Sequence, residues 1–192
     1  MRVAPVTPGD TVTISAAVVP ISEIIAFQTD IPQGASFRQA EDLDGFFVHI
    51  PSCNGRAHWT IGARQFVCNS VAGYVGPMHE TDRVDFIGTW GHKALKVPYK
   101  QMARHLSLLL DQPFVGRLEF DPVVDLTTGP AWALISMLDL VLTPFDGDAV
   151  LAKSSLAAVH FSETLSLLLL ENFRHSHTEA MASIRKPSNP TL

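Results

Sequence analysis

The hydrophobic period of this chain changes at Pro98, and an all-β or all-α fold cannot accommodate both patterns. Over residues 11–96 the apolar segments are short and rich in Val, Ile, Phe and Thr. Gly, Pro, Asn or Asp interrupts them about every eight to twelve residues, the pattern of an antiparallel sandwich or barrel. Strands are expected over 11–19, 24–29, 45–51, 57–61, 64–68, 72–75, 83–90 and 93–97. The turns Cys53-Asn54-Gly55 and Ile61-Gly62-Ala63 mark successive hairpins, because Asn-Gly supplies the positive φ angles of tight turns.

Beyond Pro98, placed in a first turn, the period lengthens to that of helices, with Met102, Leu106, Leu109 and Leu110 on one face. Residues 117–121 read as a short extended piece ahead of Pro122. Gly129-Pro130 opens a second helix with Trp132, Ile135, Leu138 and Leu142 on its stripe, ended by Pro144 and Gly147. A long helix starts at Ser154 or Ser155, a good N-cap, and runs to about Phe173. Leu156, Val159, Glu163, Leu167 and Leu170 lie along it, and Leu165, Leu168 and Leu169 widen its apolar surface. So wide a surface predicts burial on more than one side, by its own domain and by a second subunit. The polar, proline-bearing 182–192 stretch has linker composition.

Charge and composition restrict the function. Fourteen Lys and Arg stand against 19 Asp and Glu, a net charge of −5, the wrong balance for neutralising phosphates unaided. Two cysteines, Cys53 and Cys68, in a chain with 46% hydrophobic residues imply a reduced interior and a cytoplasmic location. The longest apolar stretches fall short of a membrane helix, and the N-terminus lacks a secretory signal pattern.

Catalytic signatures are weak. His49, His58, His79 and His92 fall in the β half and raise the alternative of a metal-dependent cupin-type enzyme, but the His-x-His spacing that sets two ligands on one strand face is missing there. No Gly-x-Ser-x-Gly elbow or phosphate-binding Gly-rich loop occurs. No catalytic residue, metal or cofactor is assigned. The remaining candidates are barrel-lining side chains, Phe47, His49, His58, Trp59 and Trp90, suited to a small-molecule cavity in a barrel mouth. Phe47 and His49 share one strand face, opposite Phe46, Val48 and Ile50, and either face can point inward.

Three helical-half segments carry a family resemblance: Val97 to Leu106, Leu118 to Pro130, and Leu151-Ala152 with Leu156 to Ala158 and Glu163 to Leu170. In the barrel half, Gly62 to Cys68 adds a hairpin, while Asn69 to Ala72 and Met78-His79 replace two turns usual in the family. On these residues the chain resembles the N-terminal sensing domain of AraC/XylS-type transcription regulators. The resemblance implies an α+β fold with a cupin-like antiparallel β-barrel over 1–97, a helical dimerisation region over 98–181, and a linker over 182–192 toward a C-terminal helix-turn-helix DNA-binding domain. It also implies a small-molecule effector, a homodimer with Leu156, Val159, Glu163, Leu167 and Leu170 as candidate interface, DNA contacted only through the C-terminal domain, and no membrane partner.

Overall fold

The computed structural model describes residues 2–5, 11–38, 44–143 and 154–185. Among these, eleven strands form two antiparallel sheets. The first takes β1 (Arg2–Ala4), β4 (Ala35–Arg38), β9 (Arg83–Ile87), β6 (Arg56–Ile61) and β7 (Arg64–Cys68), in that spatial order. The second takes β11 (Val123–Asp125), β8 (Ala72–Pro77), β5 (Phe46–Pro51), β10 (Trp90–Val97), β3 (Ile24–Ile31) and β2 (Ser15–Ile21). Helices α1 (Tyr99–Leu110), α2 (Gly129–Leu142), α3 (Ser155–Asn172) and α4 (Thr178–Arg185) follow the barrel, so the class is α+β as the change of period implies.

The second sheet is covered on both faces. Its inner side chains meet the first sheet in a core that includes Ile31, Phe37, Phe47, Trp59, Tyr74, Phe86 and Trp90. Its outer side chains, among them Ile24, Ala26, Phe46, Val48, Leu95 and Val97, share a core with Met102, Leu106, Leu134, Leu138, Leu165 and Leu169 of the helices. All six residues of β5 are therefore buried, and it is Phe47 and His49 that face the barrel interior. Close backbone approach fixes two glycines: a Cβ on Gly34, whose φ is +72°, would sit 2.3 Å from the Phe86 carbonyl oxygen, and one on Gly76 would sit 2.5 Å from the Tyr74 hydroxyl.

Several boundaries differ from the sequence expectation. Strands β1, β4 and β11 are three or four residues long, too short to show alternation. Residues 90–97 form one strand, because the preceding turn is at Gly88, with φ +74°. Pro98 caps α1 from outside its first turn. The expected extended piece at 117–121 pairs with the segment after α3: Phe120 bridges His175, and the Asp121 amide donates to the Arg174 carbonyl at 2.9 Å. Where the family's turn is replaced, Asn69 Oδ1 accepts from the Val71 amide at 3.0 Å and closes an equivalent turn, and residues 78–80 form a single 3-10 turn.

On α2 the buried face is Ala131, Leu134, Leu138, Val141 and Leu142, and Trp132, expected on the stripe, is 61% exposed. That helix is apolar around most of its circumference, so its sequence does not single out a face; the ion pair from Asp139 to Lys93 on β10 lies on the sheet side. Pro144 and Gly147 lie outside the described residues. Helix α3 begins as expected, with Ser154 Oγ accepting from the Ala157 amide at 3.3 Å. Residues 182–185, read above as the start of a linker, continue α4.

Helices α1 and α3 are held by a buried polar clasp. Gln101 Nε2 donates to Ser162 Oγ at 3.2 Å and Ser166 Oγ at 2.9 Å, and Ser166 Oγ donates onward to the Ser162 carbonyl. The fold makes a direct stability prediction: Leu165→Ala, at a fully buried site between helices and sheet, lowers unfolding free energy by about 2–5 kcal/mol, whereas Leu156→Ala on the exposed first turn of α3 changes it by about 0.5 kcal/mol or less, both read by urea denaturation.

Candidate functional site

A cavity of about 290 Å3 lies between the two sheets. Strand alternation supplies its wall: Phe27, Thr29 and Ile31 from β3, Phe37 from β4, Phe47 and His49 from β5, Trp59 from β6, Val84 and Phe86 from β9, and His92 from β10, with Ile14 and Ala16 at the edge near β2. Every described lining residue is apolar or aromatic except Thr29, His49 and His92; no Lys, Arg, Asp or Glu is among these described residues.

The two histidines are adjacent, with ring centroids 4.9 Å apart, inside a cluster of edge-on and stacked rings. Phe27 meets both edge-on, at 6.3 Å from His49 and 6.1 Å from His92. Trp59 lies 4.8 Å from His49 and stacks on Tyr74 at 4.0 Å. Trp90 Nε1 donates to His92 Nδ1 at 2.8 Å, which leaves Nε2 to carry the proton in neutral His92. His49, only 5% exposed, has no hydrogen-bond partner at either ring nitrogen among the described residues.

Burial holds both rings neutral. The His49 pKa is driven well below its ordinary value by desolvation and then by neighbouring His92; that of His92 is pushed down to about 4 by desolvation. Burial, the Trp59 contact notwithstanding, also pushes the Cys68 thiol up to about 12, so this cysteine is a core side chain with no nucleophilic character.

The sequence-derived candidates separate clearly. Phe47, His49 and Trp59 line the cavity. Trp90 stands behind it, 1% exposed, and orients His92. His58 does not belong to the lining: it is exposed on the outer face of β6, opposite Val67 and Asp85, because it is Trp59's immediate neighbour on a strand and neighbours point to opposite faces. Phe27, Phe86 and His92 are the aromatic lining residues nearest these that the sequence reading missed, alongside Phe37. Their signal is register: Ala94, two residues along from His92, lies opposite both His49 and Phe27.

The four-histidine metal set of the enzyme alternative is not assembled. His49 and His92 meet, but His58 faces outward and His79 sits in the 3-10 turn against Glu80, 3.6 Å away. Among the described residues, no three His, Cys, Asp or Glu side chains are grouped to hold a metal ion. The donor set does not fit a cupin metal centre.

Of the interface candidates on α3, Leu156 and Val159 are exposed, and Glu163 and Leu167 are half-buried. Leu170 is a core residue, 2% exposed, and offers no surface to a second subunit. It follows Leu169 onto the side of α3 that packs in its own domain, where the sequence shows only an unbroken leucine run.

The AraC-binding-like domain model matches residues 1–170. The chain belongs to that family. Its fold is similar to that of a solved AraC-like transcriptional activator, CuxR, at a TM-score of 0.63 and 12% identity, covering 99% of this chain and 64% of that one. The chain thus spans less than two thirds of the CuxR chain, and at that identity the likeness is one of fold. Two cupins align more partially: a cupin superfamily protein from Desulfitobacterium hafniense DCB-2 (TM-score 0.40, 11% identity, 45% of this chain and 78% of that one) and the Schizosaccharomyces pombe Cnp3 cupin domain (TM-score 0.40, 12% identity, 52% and 77%). No curated protein matches the sequence. No helix among the described residues is long and apolar enough to cross a membrane.

The neutral histidines give the AraC-binding-like domain a defined acid response. Unfolding releases their rings to an ordinary pKa near 6.5, so the unfolded chain binds protons that the folded chain refuses. The histidine contribution is therefore level above about pH 7 and falls as pH drops from about 6.5 toward 4. For His92 alone the loss reaches roughly 2 kcal/mol by pH 5. His49, His105 and His175, all lowered chiefly by burial, act with the same sign. Urea denaturation at pH 7.5 and pH 5.0 checks this, and His92→Phe makes the difference between the two smaller.

Proposed function

We propose that this chain is the effector-sensing and dimerisation part of an AraC-type transcription regulator, a cytoplasmic protein without catalytic activity that acts on DNA through a separate C-terminal helix-turn-helix domain. The observation that carries the reading is the apolar cavity between the sheets with an unpartnered His49 in its wall. Small-molecule sites are concave and mostly apolar, with a few polar groups that fix orientation. Membership of the AraC-binding-like family supports the regulatory reading, and the net charge of −5 suits a module that leaves DNA contact to another domain.

The second sheet offers a physical route from ligand to helices. A ligand bearing on Phe47 and His49 presses on a strand whose other face, through Phe46 and Val48, is packed in the helical core. An effector that favours one arrangement of sheet and helices shifts the population of dimers able to engage DNA, by as much as its affinity differs between arrangements.

The dimer surface in this reading is the exposed side of α3, where Leu156, Val159, Glu163 and Leu167 recur at helical spacing, with Leu170 set aside as core. Sedimentation of the purified chain is expected to give a dimer, and the double variant Leu156→Asp with Val159→Asp a folded monomer whose melting temperature at low concentration matches the parent monomer. A monomer for the parent chain at high micromolar concentration overturns the dimer. For sensing, a metabolite panel in a thermal-shift assay is expected to contain a stabilising compound, since a ligand at a hundred times its Kd adds about 2.7 kcal/mol to a folded state it alone binds.

A further inference from the structure

We propose that the cavity takes a neutral, mainly apolar compound of about a dozen non-hydrogen atoms, an aromatic or fused-ring alcohol or phenol, whose single hydroxyl pairs with the His49 imidazole. The proposal rests on reading the cavity as the effector site and specifies what that site admits.

Size comes first. A dry apolar cavity of about 150 Å3 accommodates benzene, so about 290 Å3 suits a ligand of roughly twice that bulk. Shape follows from the rings: Phe27 meets Phe47 edge-on at 6.1 Å, Trp59 lies 4.8 Å from His49 and Phe86 stacks on Trp90 at 5.0 Å, spacings at which a planar guest can take the place of a missing ring.

Polarity decides the class. A charged ligand would leave water for a wall whose described residues include no ion of either sign. A carboxylate would have to protonate His49 or His92, both of which burial holds neutral. A sugar carries hydroxyls on every side, and among the described lining residues only Thr29, the Trp59 indole N–H and the two histidines could answer them. Among the described lining residues the unpartnered polar atoms are both His49 nitrogens and Trp59 Nε1, the latter set beside the buried Cys68 thiol, so the demand falls chiefly on His49 and one hydroxyl meets it. His49 has an acceptor and a donor nitrogen with no partner, both aimed among aromatic rings, and a buried imidazole left so is costly. A hydroxyl donating to its bare nitrogen removes that cost. His92 does not compete for the role at Nδ1, which Trp90 already fills.

The test uses the purified chain and four probes at pH 7.5: 2-naphthol, 2-methylnaphthalene, 2-naphthoate and glucose. Isothermal titration and thermal shift are expected to rank 2-naphthol first with one site per chain, at least tenfold tighter than 2-methylnaphthalene. His49→Phe, an apolar ring of similar size, is expected to fold and to bring 2-naphthol down to the 2-methylnaphthalene level. Tighter binding of 2-naphthoate or glucose, equal binding of naphthol and methylnaphthalene, or a His49→Phe variant that keeps the preference overturns the ligand class while leaving the cavity as a binding site. Absence of binding by all four, with the wider metabolite panel also silent, overturns both this proposal and the effector-site reading.

Discussion

Double-sided burial of the six-stranded sheet is the constraint on which the rest of the structure depends. A sheet with one solvated face is held by packing on that single buried face. Here β5, β10 and β3 have an aromatic chamber on one side and a helical core on the other, and close packing makes both sides intolerant of displacement. The barrel and the helices are therefore not two modules joined at Pro98. They are one packed body in which a central sheet serves two cores, and the helical region needs the outer face of β5 and β10 to be buried at all.

The same sheet sets the electrostatics of the site. Strand alternation brings His49 and His92 inward, and the helices on the far side deny that part of the sheet solvent from behind. Desolvation from both directions is why the rings stay neutral, and neutrality is what makes an apolar chamber possible with two imidazoles in it. Trp90 settles His92 by donating to it, while His49 is given no such donor or acceptor. The asymmetry between two histidines 4.9 Å apart is thus the most specific chemical feature of the cavity.

What the sequence disclosed follows from where its period is unambiguous. Strand β6 reads Arg56-Ala57-His58-Trp59 and alternates exposed and buried without exception; followed strictly, that alternation separates His58 from Trp59 and removes His58 from the candidate lining. Strand β5 reads Phe-Phe-Val-His-Ile-Pro, apolar on both faces because both faces are covered, so the inward set becomes legible only with the register against β10. Helices α2 and α3 pose the same difficulty in another period. A helix apolar around its circumference does not announce which side meets the core, and Trp132 and Leu170 exchange the expected roles of buried stripe and free surface for that reason. The change of class at Pro98, the N-cap at Ser154 and most strand positions were legible because each rests on local chemistry that tertiary packing does not override.

The clasp between α1 and α3 determines how a movement of the sheet would be felt at the surface. Gln101 joins the two helices through Ser162 and Ser166 in a region almost free of water, and a buried amide with two hydroxyl partners is lost only at a cost of order 1–3 kcal/mol. Sliding α1 past α3 would break it, whereas moving both together keeps it. Met102 and Leu106 on the same helix share a core with the outer face of the sheet and Tyr99 stacks on Phe46 of β5 at 5.7 Å, so a displacement of β5 bears directly on α1, and the clasp ties α3, which also meets the sheet at β2, to the same movement. The exposed side chains of α3, Leu156 and Val159, lie about two turns and one turn before Ser162 and are carried along with it as parts of one rigid helix. Relay by rigid-body motion of a helix pair requires no flexible pathway through the core; it requires that the polar clasp be stronger than the apolar contacts that let the pair shift on the sheet.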